Sequence, residues 1–426
     1  MTLVPSPAES ASRAPAATQA PASSLPDINS ETYPFEVVQR LLDEAAYFNL
    51  FSVPQPEAGC GLPHPTTSGN VVGFRIAENL RRFRVSLQPP SGSGDLRATD
   101  DTGDIVARFE HRWMLIPDGF AALPGQEPPP VCLDESRSQR FVMLDGRCVF
   151  GQGEDGFAGF GTGTTYPTVV NGQRQLLAAA VGNIMEGFGR FKGHDGTYVY
   201  CGSLSAQGGF TGSLLLRAMD HEGTLRTDSS FPGIEKIARP EPGITYIVFR
   251  GQKRDRNQKT EYIMGPGGDI TGLNVAQQLR AMDVDCGWGG GRHDVRASAQ
   301  VGPVIGSMRA QITFNLLNPG APGTRVSPIP FKSYNTYTFF DRREREIGTI
   351  EANGGEGRTF NLTLAGAPGQ RALRFGGFGP IVKGTGYFRG IEGLMTDNSV
   401  VGIAPHALAT FYVLRIHDPE GRFRVR

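Results

Sequence analysis

Gly182-Asn-Ile-Met-Glu-Gly187-Phe-Gly189-Arg-Phe191-Lys-Gly193-His-Asp-Gly196 decides the fold, because the chain carries this stretch twice. The second copy is Gly379-Pro-Ile-Val-Lys-Gly384-Thr-Gly386-Tyr-Phe388-Arg-Gly390-Ile-Glu-Gly393. Gly182, Ile184, Gly187, Gly189, Phe191, Gly193 and Gly196 all recur at an offset of 197. The match extends outward. Gly172-Gln173 answers Gly369-Gln370, and Arg217-x-x-Asp220-x-x-Gly223 answers Arg415-x-x-Asp418-x-x-Gly421 at 198. Phe141-Val-Met-Leu-Asp145 aligns with Tyr337-Thr-Phe-Phe-Asp341 at 196. Small loop insertions between two copies of one domain leave such drifting offsets, and a period of about 200 means a duplicated domain rather than a solenoid.

Composition agrees with two domains. The 426 residues suit two units of about 150 each, and the formal net charge of zero leaves no electrostatic footprint for nucleic acid or an anionic membrane. The 57 glycines and 31 prolines punctuate short alternating apolar runs, the pattern of many strands and turns. Cys60, Cys132, Cys148, Cys201 and Cys286 are odd in number and lack C-x-x-C spacing, which argues against a disulfide framework or zinc ribbon and for a reducing, cytoplasmic setting.

In order along the chain, residues 1–30 read as a disordered Ala/Pro/Ser-rich leader with neither export signal nor membrane span. Residues 31–69 read as an N-terminal helical segment, with a helix expected over Pro34–Phe51 from Phe35, Val38, Leu41, Leu42 and Ala45. The period then switches to two: Phe83, Val85 and Leu87 alternate, as do Ile105, Ala107, Phe109 and His111 leading into Trp113. A first β-barrel is expected over 70–225, a connection with a short helix (Leu273–Met282) over 226–300, and a second barrel over 301–426. Within the connection, Gly265-Pro-Gly267-Gly268-Asp-Ile-Thr-Gly272 imitates a phosphate-binding loop. Ile270 stands where the third glycine of a dinucleotide fingerprint belongs, so a turn is the better reading.

The repeated stretch is intrinsically poor as a strand. Alternation puts Ile184, Glu186, Phe188 and Arg190 on one face, and Gly187, Gly189, Phe191 and Gly193 on the other. Glycines so placed call for sharp bending in a small closed barrel or for close approach of another backbone. Each copy is then a short-stranded antiparallel unit that removes its edges by closing on itself.

The succession strand, Gly-x-Gly-x-Phe-x-Gly-x-x-Gly, strand, then a final apolar strand resembles the C-terminal half of allene oxide cyclases and, more distantly, dirigent proteins. Gly384-Thr-Gly-Tyr-Phe-Arg-Gly-Ile-Glu-Gly393 is the closer match. The resemblance implies a mainly β fold of two tandem antiparallel calycin-like barrels. It also implies cofactor-independent isomerase, cyclase or lyase chemistry on a small hydrophobic or aromatic metabolite, with neither metal nor nucleotide. A non-catalytic binding or scaffold protein using the same lumen is the alternative, and a homo-oligomer is left open.

Comparison of the copies selects candidate residues. Copy 1 carries Glu154, Asp155, Phe160, Thr164 and Tyr166 in a stretch that copy 2 simplifies. It also has Glu186, Tyr198, Tyr200 and Cys201 where copy 2 has Lys383, Met395, Asp397 and Asn398. Buried Glu and Tyr can move protons, so Glu186, Glu154, Asp155, Tyr198 and Tyr200 are the expected catalytic groups. Thr164, Tyr166, Phe160, Phe188 and Arg190 are the expected substrate contacts. The plainer reading makes Glu186 a solvated outer-face charge and the tyrosines wall packing. No His-x-x-x-His or Gly-x-Ser-x-Gly pattern suggests zinc or α/β-hydrolase chemistry.

Overall fold

The computed structural model describes residues 43–55, 63–65, 72–90, 95–116, 138–170, 172–204, 210–228, 231, 240–255, 258, 261–266, 270–289, 294–314, 329–363, 371–402 and 408–425. The leader and the first part of the expected N-terminal helix lie outside them. The first half of the chain supplies β1 (Ala45–Pro54), β2 (Pro63–Pro65), β3 (Val72–Gln88), β4 (Arg97–Ile116), β5 (Gln139–Phe150), β6 (Asp155–Val170), β7 (Gln173–Phe188), β8 (Gly196–Leu204) and β9 (Phe210–Met219). The second supplies β10 (Ile244–Gln252), β11 (Glu261–Met264), β12 (Ile270–Trp288), β13 (Val295–Phe314), β14 (Ile329–Phe340), β15 (Glu346–Thr363), β16 (Arg371–Gly384), β17 (Gly393–Gly402) and β18 (Leu408–His417).

Every pairing between these strands is antiparallel. β3 through β9 pair in succession, β9 pairs with β1, and β1 returns to β3, which closes one ring. β12 through β18 repeat the pattern, and β10 closes the second ring between β18 and β12. Closure pairs the edge strands that an open sheet would expose. The short β2 and β11 extend the hairpins of β3 and β12.

The repeated stretch sits at the same place in both rings, as a 3-10 turn (Gly189–Phe191 and Gly386–Phe388) between two strands. Gly189 and Gly386 have φ of 61° and 54°, and Gly193 and Gly390 have 79° and 75°, a region that L side chains avoid. At Gly187 and Gly384 a Cβ would overlap the carbonyl oxygens of Phe191 and Phe388. Both reasons proposed for the glycines, bending and close backbone approach, therefore operate.

The Arg-x-x-Asp-x-x-Gly motif is a staple. Asp220 accepts the N–H groups of Thr224 (2.8 Å) and Leu225 (3.0 Å), and Asp418 accepts those of Arg422 (2.6 Å) and Phe423 (3.0 Å). Each turned-back tail then crosses to the other ring. Leu225 and Thr227 bond to both sides of Ala297, and Phe423 and Val425 bond to both sides of Ala98. With the tails go hairpin ends: Leu87, Leu96 and Ala98 join the core of the second ring, and Cys286, Val295 and Ala297 join that of the first. Each barrel is thus closed at one end by the hairpin of its twin. Val85 pairs with its own counterpart Val284, which puts a pseudo-twofold axis there.

Three apolar clusters result. Two fill the rings, and the third, including Tyr47, Phe51, Phe83, Val181, Tyr246, Met282, Val284, Phe378 and Phe411, lies between them. Strands bordering both a lumen and the central cluster are apolar on both faces, and this misleads a periodicity reading. Ala45–Phe51 is a strand rather than the end of a helix: Ala46, Phe48 and Leu50 fill the first ring while Ala45, Tyr47 and Phe51 face the second. Leu273–Met282 is likewise strand, with Leu273, Val275 and Leu279 turned into the second ring. Its Ala, Gln and Leu content favours helix, and barrel closure overrides it. The stretch 226–300 is no mere connection, since it supplies β10, β11, β12 and the start of β13. The offset of 196 for Phe141–Asp145 is also corrected. Tyr337 pairs with Met308 as Cys148 pairs with Phe109, so Tyr337 is the counterpart of Cys148.

Candidate functional site

The residues singled out from copy 1 fall into three places. Tyr198 and Tyr200 turn inward and are fully buried among the aromatic side chains of the first lumen. Gly159, Gly161 and Gly182 line the space that the Tyr198 ring occupies, and a Cβ at Gly182 would overlap it. Phe160 and Tyr166 lie on the opposite face of β6 and pack against the central cluster. Thr164 shares that face, because it pairs with Ala179 of the same cluster. These three border the twin barrel, not the lumen, since side chains along a strand alternate.

The acids are elsewhere. Glu186 is exposed, because a bulge at Met185 breaks the alternation that would have kept it beside Ile184. The expectation of a buried, proton-moving Glu186 is therefore corrected. Glu154 is exposed on the turn after β5. Asp155 accepts hydrogen bonds from the backbone N–H and Nε of Arg190, both at 2.9 Å. Arg190 also bonds Asp294, which pairs with Arg296 at 2.8 Å. That network joins the two barrels. Phe188 lies under Arg147, 4.9 Å from the guanidinium carbon to the ring centre. The recess among Phe150, Gly151, Gln152, Glu154, Asp155 and Trp288 measures about 20 Å³, room for about one water.

Sequence reading passes over a buried polar chain in the first lumen. Trp113 Nε1 donates to His111 Nδ1, so the imidazole proton sits on Nε2, which faces Glu78 Oε2 at 3.3 Å. Glu78 Oε1 and the hydroxyls of Tyr198 and Tyr200 have no hydrogen-bond partner among the described residues. Burial pushes the Tyr198 and Tyr200 hydroxyls well above the usual phenol range, with Glu78 adding to the effect on Tyr200. The ladder Phe109-x-His111-x-Trp113 is visible as alternation, but its partner Glu78 lies on another strand. Phe109, Phe141, Phe157 and Tyr198 have no accessible surface, so this part of the lumen holds no water-sized gap.

The second lumen differs at the corresponding end. Gln277 pairs with Met308 as Glu78 pairs with Phe109, so Ala310 and Ile312 replace His111 and Trp113. Ser333 likewise replaces Met143, and Asp397 replaces Tyr200. Each of these four replacements is smaller. Asp397, Ala310 and Ile312 keep 8%, 7% and 9% of their surface accessible. A polar chain lines this space. The Tyr412 hydroxyl donates to Gln277 Oε1 (2.9 Å) and Gln277 Nε2 donates to Thr410 Oγ1 (3.0 Å). Ser399 Oγ lies 2.9 Å from Thr410 Oγ1 and 3.5 Å from Asp397 Oδ1.

Asp397 ends that chain. Its Oδ1 accepts the Gly377 N–H at 2.9 Å, and its Oδ2 has no hydrogen bond among the described residues. Burial raises its pKa to about 6, against the pull of Gly377 and Ser399. Burial also pushes the Tyr337 and Tyr412 hydroxyls well up, and Tyr337 Oη has no partner among the described residues. Phe249, Phe339 and Leu414 form an apolar floor. Comparison of the copies sets Asp397 opposite Tyr200, but it favours copy 1 and so passes over the acid. Among the described residues no group of three or more His, Cys, Asp or Glu could hold a metal ion, and no helix is long and apolar enough to cross a membrane.

No protein-family model matches this chain, and no curated protein matches it. The solved structure of the pterocarpan synthase dirigent protein GePTS1 overlaps 41% of this chain and 83% of that one, at 14% identity and a TM-score of 0.24, too low to carry an argument.

Proposed function

We propose that the chain is a small-molecule-binding β-barrel protein whose ligand occupies the second lumen, against Asp397. The supporting observation is the buried Asp397 Oδ2, without a hydrogen bond among the described residues, in a lumen where small side chains replace the packed aromatic plug of the first. The floor suits a largely apolar molecule, and the rim of Gln277, Ser333, Asp397, Ser399 and Thr410 suits one or two hydroxyl or carbonyl groups on it. The first barrel, filled by Trp113, His111 and Tyr198, serves as the rigid half.

Beyond binding, we read Asp397 as a general base for cofactor-independent isomerisation or cyclisation. A carboxylate near pKa 6 is ionised at neutral pH and more basic than an ordinary one. The hydroxyls of Ser399, 3.5 Å from Asp397 Oδ1, and Thr410, 2.9 Å beyond it, offer a route for returning a proton.

The test transplants the plug. Native mass spectrometry of wild-type protein should find a co-purified small molecule, absent from Ala310→His/Ile312→Trp and retained in Tyr198→Phe. An adduct that persists in the plugged variant, or none in wild type together with no uptake of an apolar fluorescent probe, would refute the assignment. For the catalytic reading, Asp397→Asn should lower turnover of the identified ligand by about 10²–10⁴ while leaving its binding within a few-fold.

A further inference from the structure

The central cluster holds two arginines in related positions with unlike partners. Arg415 pairs with Tyr246 across β18 and β10, and Arg217 pairs with Tyr47 across β9 and β1. Both guanidinium groups are buried. Arg415 is neutralised by Glu241: Nη2 contacts Oε1, and Nε lies 3.3 Å from Oε2. The Tyr246 hydroxyl (2.8 Å) and Ser203 Oγ (3.3 Å) donate to the same carboxylate. Glu241 lies three residues ahead of β10; three residues ahead of β1 stands Leu42, which has no carboxylate.

Among the described residues, Arg217 is consequently a buried cation without a counter-ion. Its Nη1 reaches the Asn398 carbonyl at 3.4 Å, while Nε and Nη2 have no acceptor there. Beside it is a second buried arginine, Arg250, whose Nη1 and Nη2 share Asp43 Oδ1 at 3.1 and 3.2 Å and whose Nε is also unpartnered. Burial and the nearby Arg250 push the Arg217 pKa down, while Tyr47 opposes them. Leaving such donors unmet costs about 1–3 kcal/mol each, and more when charged.

We infer that the Arg217–Arg250 pair is a binding site for a small carboxylate anion, which takes the place that Glu241 fills beside Arg415. The fork of Arg217 Nε and Nη2 suits the two oxygens of one carboxylate, and the nearby Arg250 adds positive charge. Asp43, with 63% of its side chain exposed, ties Arg250 to the surface.

Fluorine NMR of trifluoroacetate with the full chain, competed by acetate, tests this. Wild type should broaden the signal saturably, with acetate reversing it. Arg217→Met should abolish the effect, and Glu241→Gln, which frees Arg415, should add a second binding equivalent. Met in place of an unpaired buried cation is not expected to unfold the chain. Should it do so, Arg217→Lys keeps the charge, loses the fork and should weaken binding by at least about tenfold, or about 1.4 kcal/mol. No saturable broadening in wild type, or equal broadening in the Arg217 variant that folds, would overturn the site.

Discussion

Replacing Asp397 with Asn should change how stability depends on pH. The carboxyl has a folded-state pKa of about 6 against an ordinary value of 3.8, raised chiefly by burial. The sign follows from proton counting. Between these values the folded state holds the proton and the unfolded state does not, so stability falls as pH rises from about 4 to about 6 and levels off above. A shift of roughly two units corresponds to about 3 kcal/mol, at about 1.4 kcal/mol per unit. The substituted amide does not titrate, is nearly isosteric with the carboxyl, and its oxygen can still accept the Gly377 N–H. The variant should therefore gain about 3 kcal/mol relative to wild type on going from about pH 3.5 to about pH 8. Urea unfolding of both proteins across that range measures it, with matched m-values as the check on two-state behaviour. Taking the difference between the curves cancels the other buried acids, notably Asp100, whose pKa burial raises to about 7. A difference that stays flat with pH would refute the reasoning, because it would mean that Asp397 titrates as it does in water.

Other perturbations probe the packing. Gly182→Ala forces a Cβ into the Tyr198 ring and should cost about 1–3 kcal/mol; Gly182→Ala/Tyr198→Phe should recover little, since the ring rather than the hydroxyl is in the way. Phe423→Ala removes a buried ring from the closed end of the second barrel and should cost about 3–5 kcal/mol in denaturant unfolding. Glu186→Gln, on an exposed side chain, should leave stability within about 0.5 kcal/mol and any ligand adduct unchanged. Trp113→Ala should cost about 3–5 kcal/mol and open the first lumen to an apolar fluorescent probe that wild type admits only in the second.

Much of the fold is legible where local chemistry is demanding. Glycines that need positive φ or close backbone approach cannot drift, so Gly189/Gly386 and Gly193/Gly390 keep the repeat readable. The Asp220 and Asp418 staples do the same, because each carboxylate serves two backbone N–H groups. Tyr198 and Tyr200 do point into a lumen, as wall packing. Thr164, Tyr166 and Phe160 border the twin barrel instead, because alternation assigns faces but does not say which face is the lumen when both are covered. Glu186 is turned outward by a one-residue bulge, a feature of pairing that its own strand does not announce.

The twice-carried glycine-rich stretch and the mainly β character rest on residues near one another along the chain, and so they can be read in one dimension. What lies across strands cannot. Folding brings Glu78 to His111, sets Ala310 and Ser333 around Asp397, and leaves Arg217 without the carboxylate that Arg415 has. These contacts join residues tens to hundreds of positions apart, and their partners are fixed by ring register and the pseudo-twofold axis rather than by local propensity. The strand stretches 45–51 and 273–282, expected as helix, belong with these. In the first, burial on two faces erases the alternation that marks a strand; in the second, Ala, Gln and Leu favour helix until ring pairing overrides them.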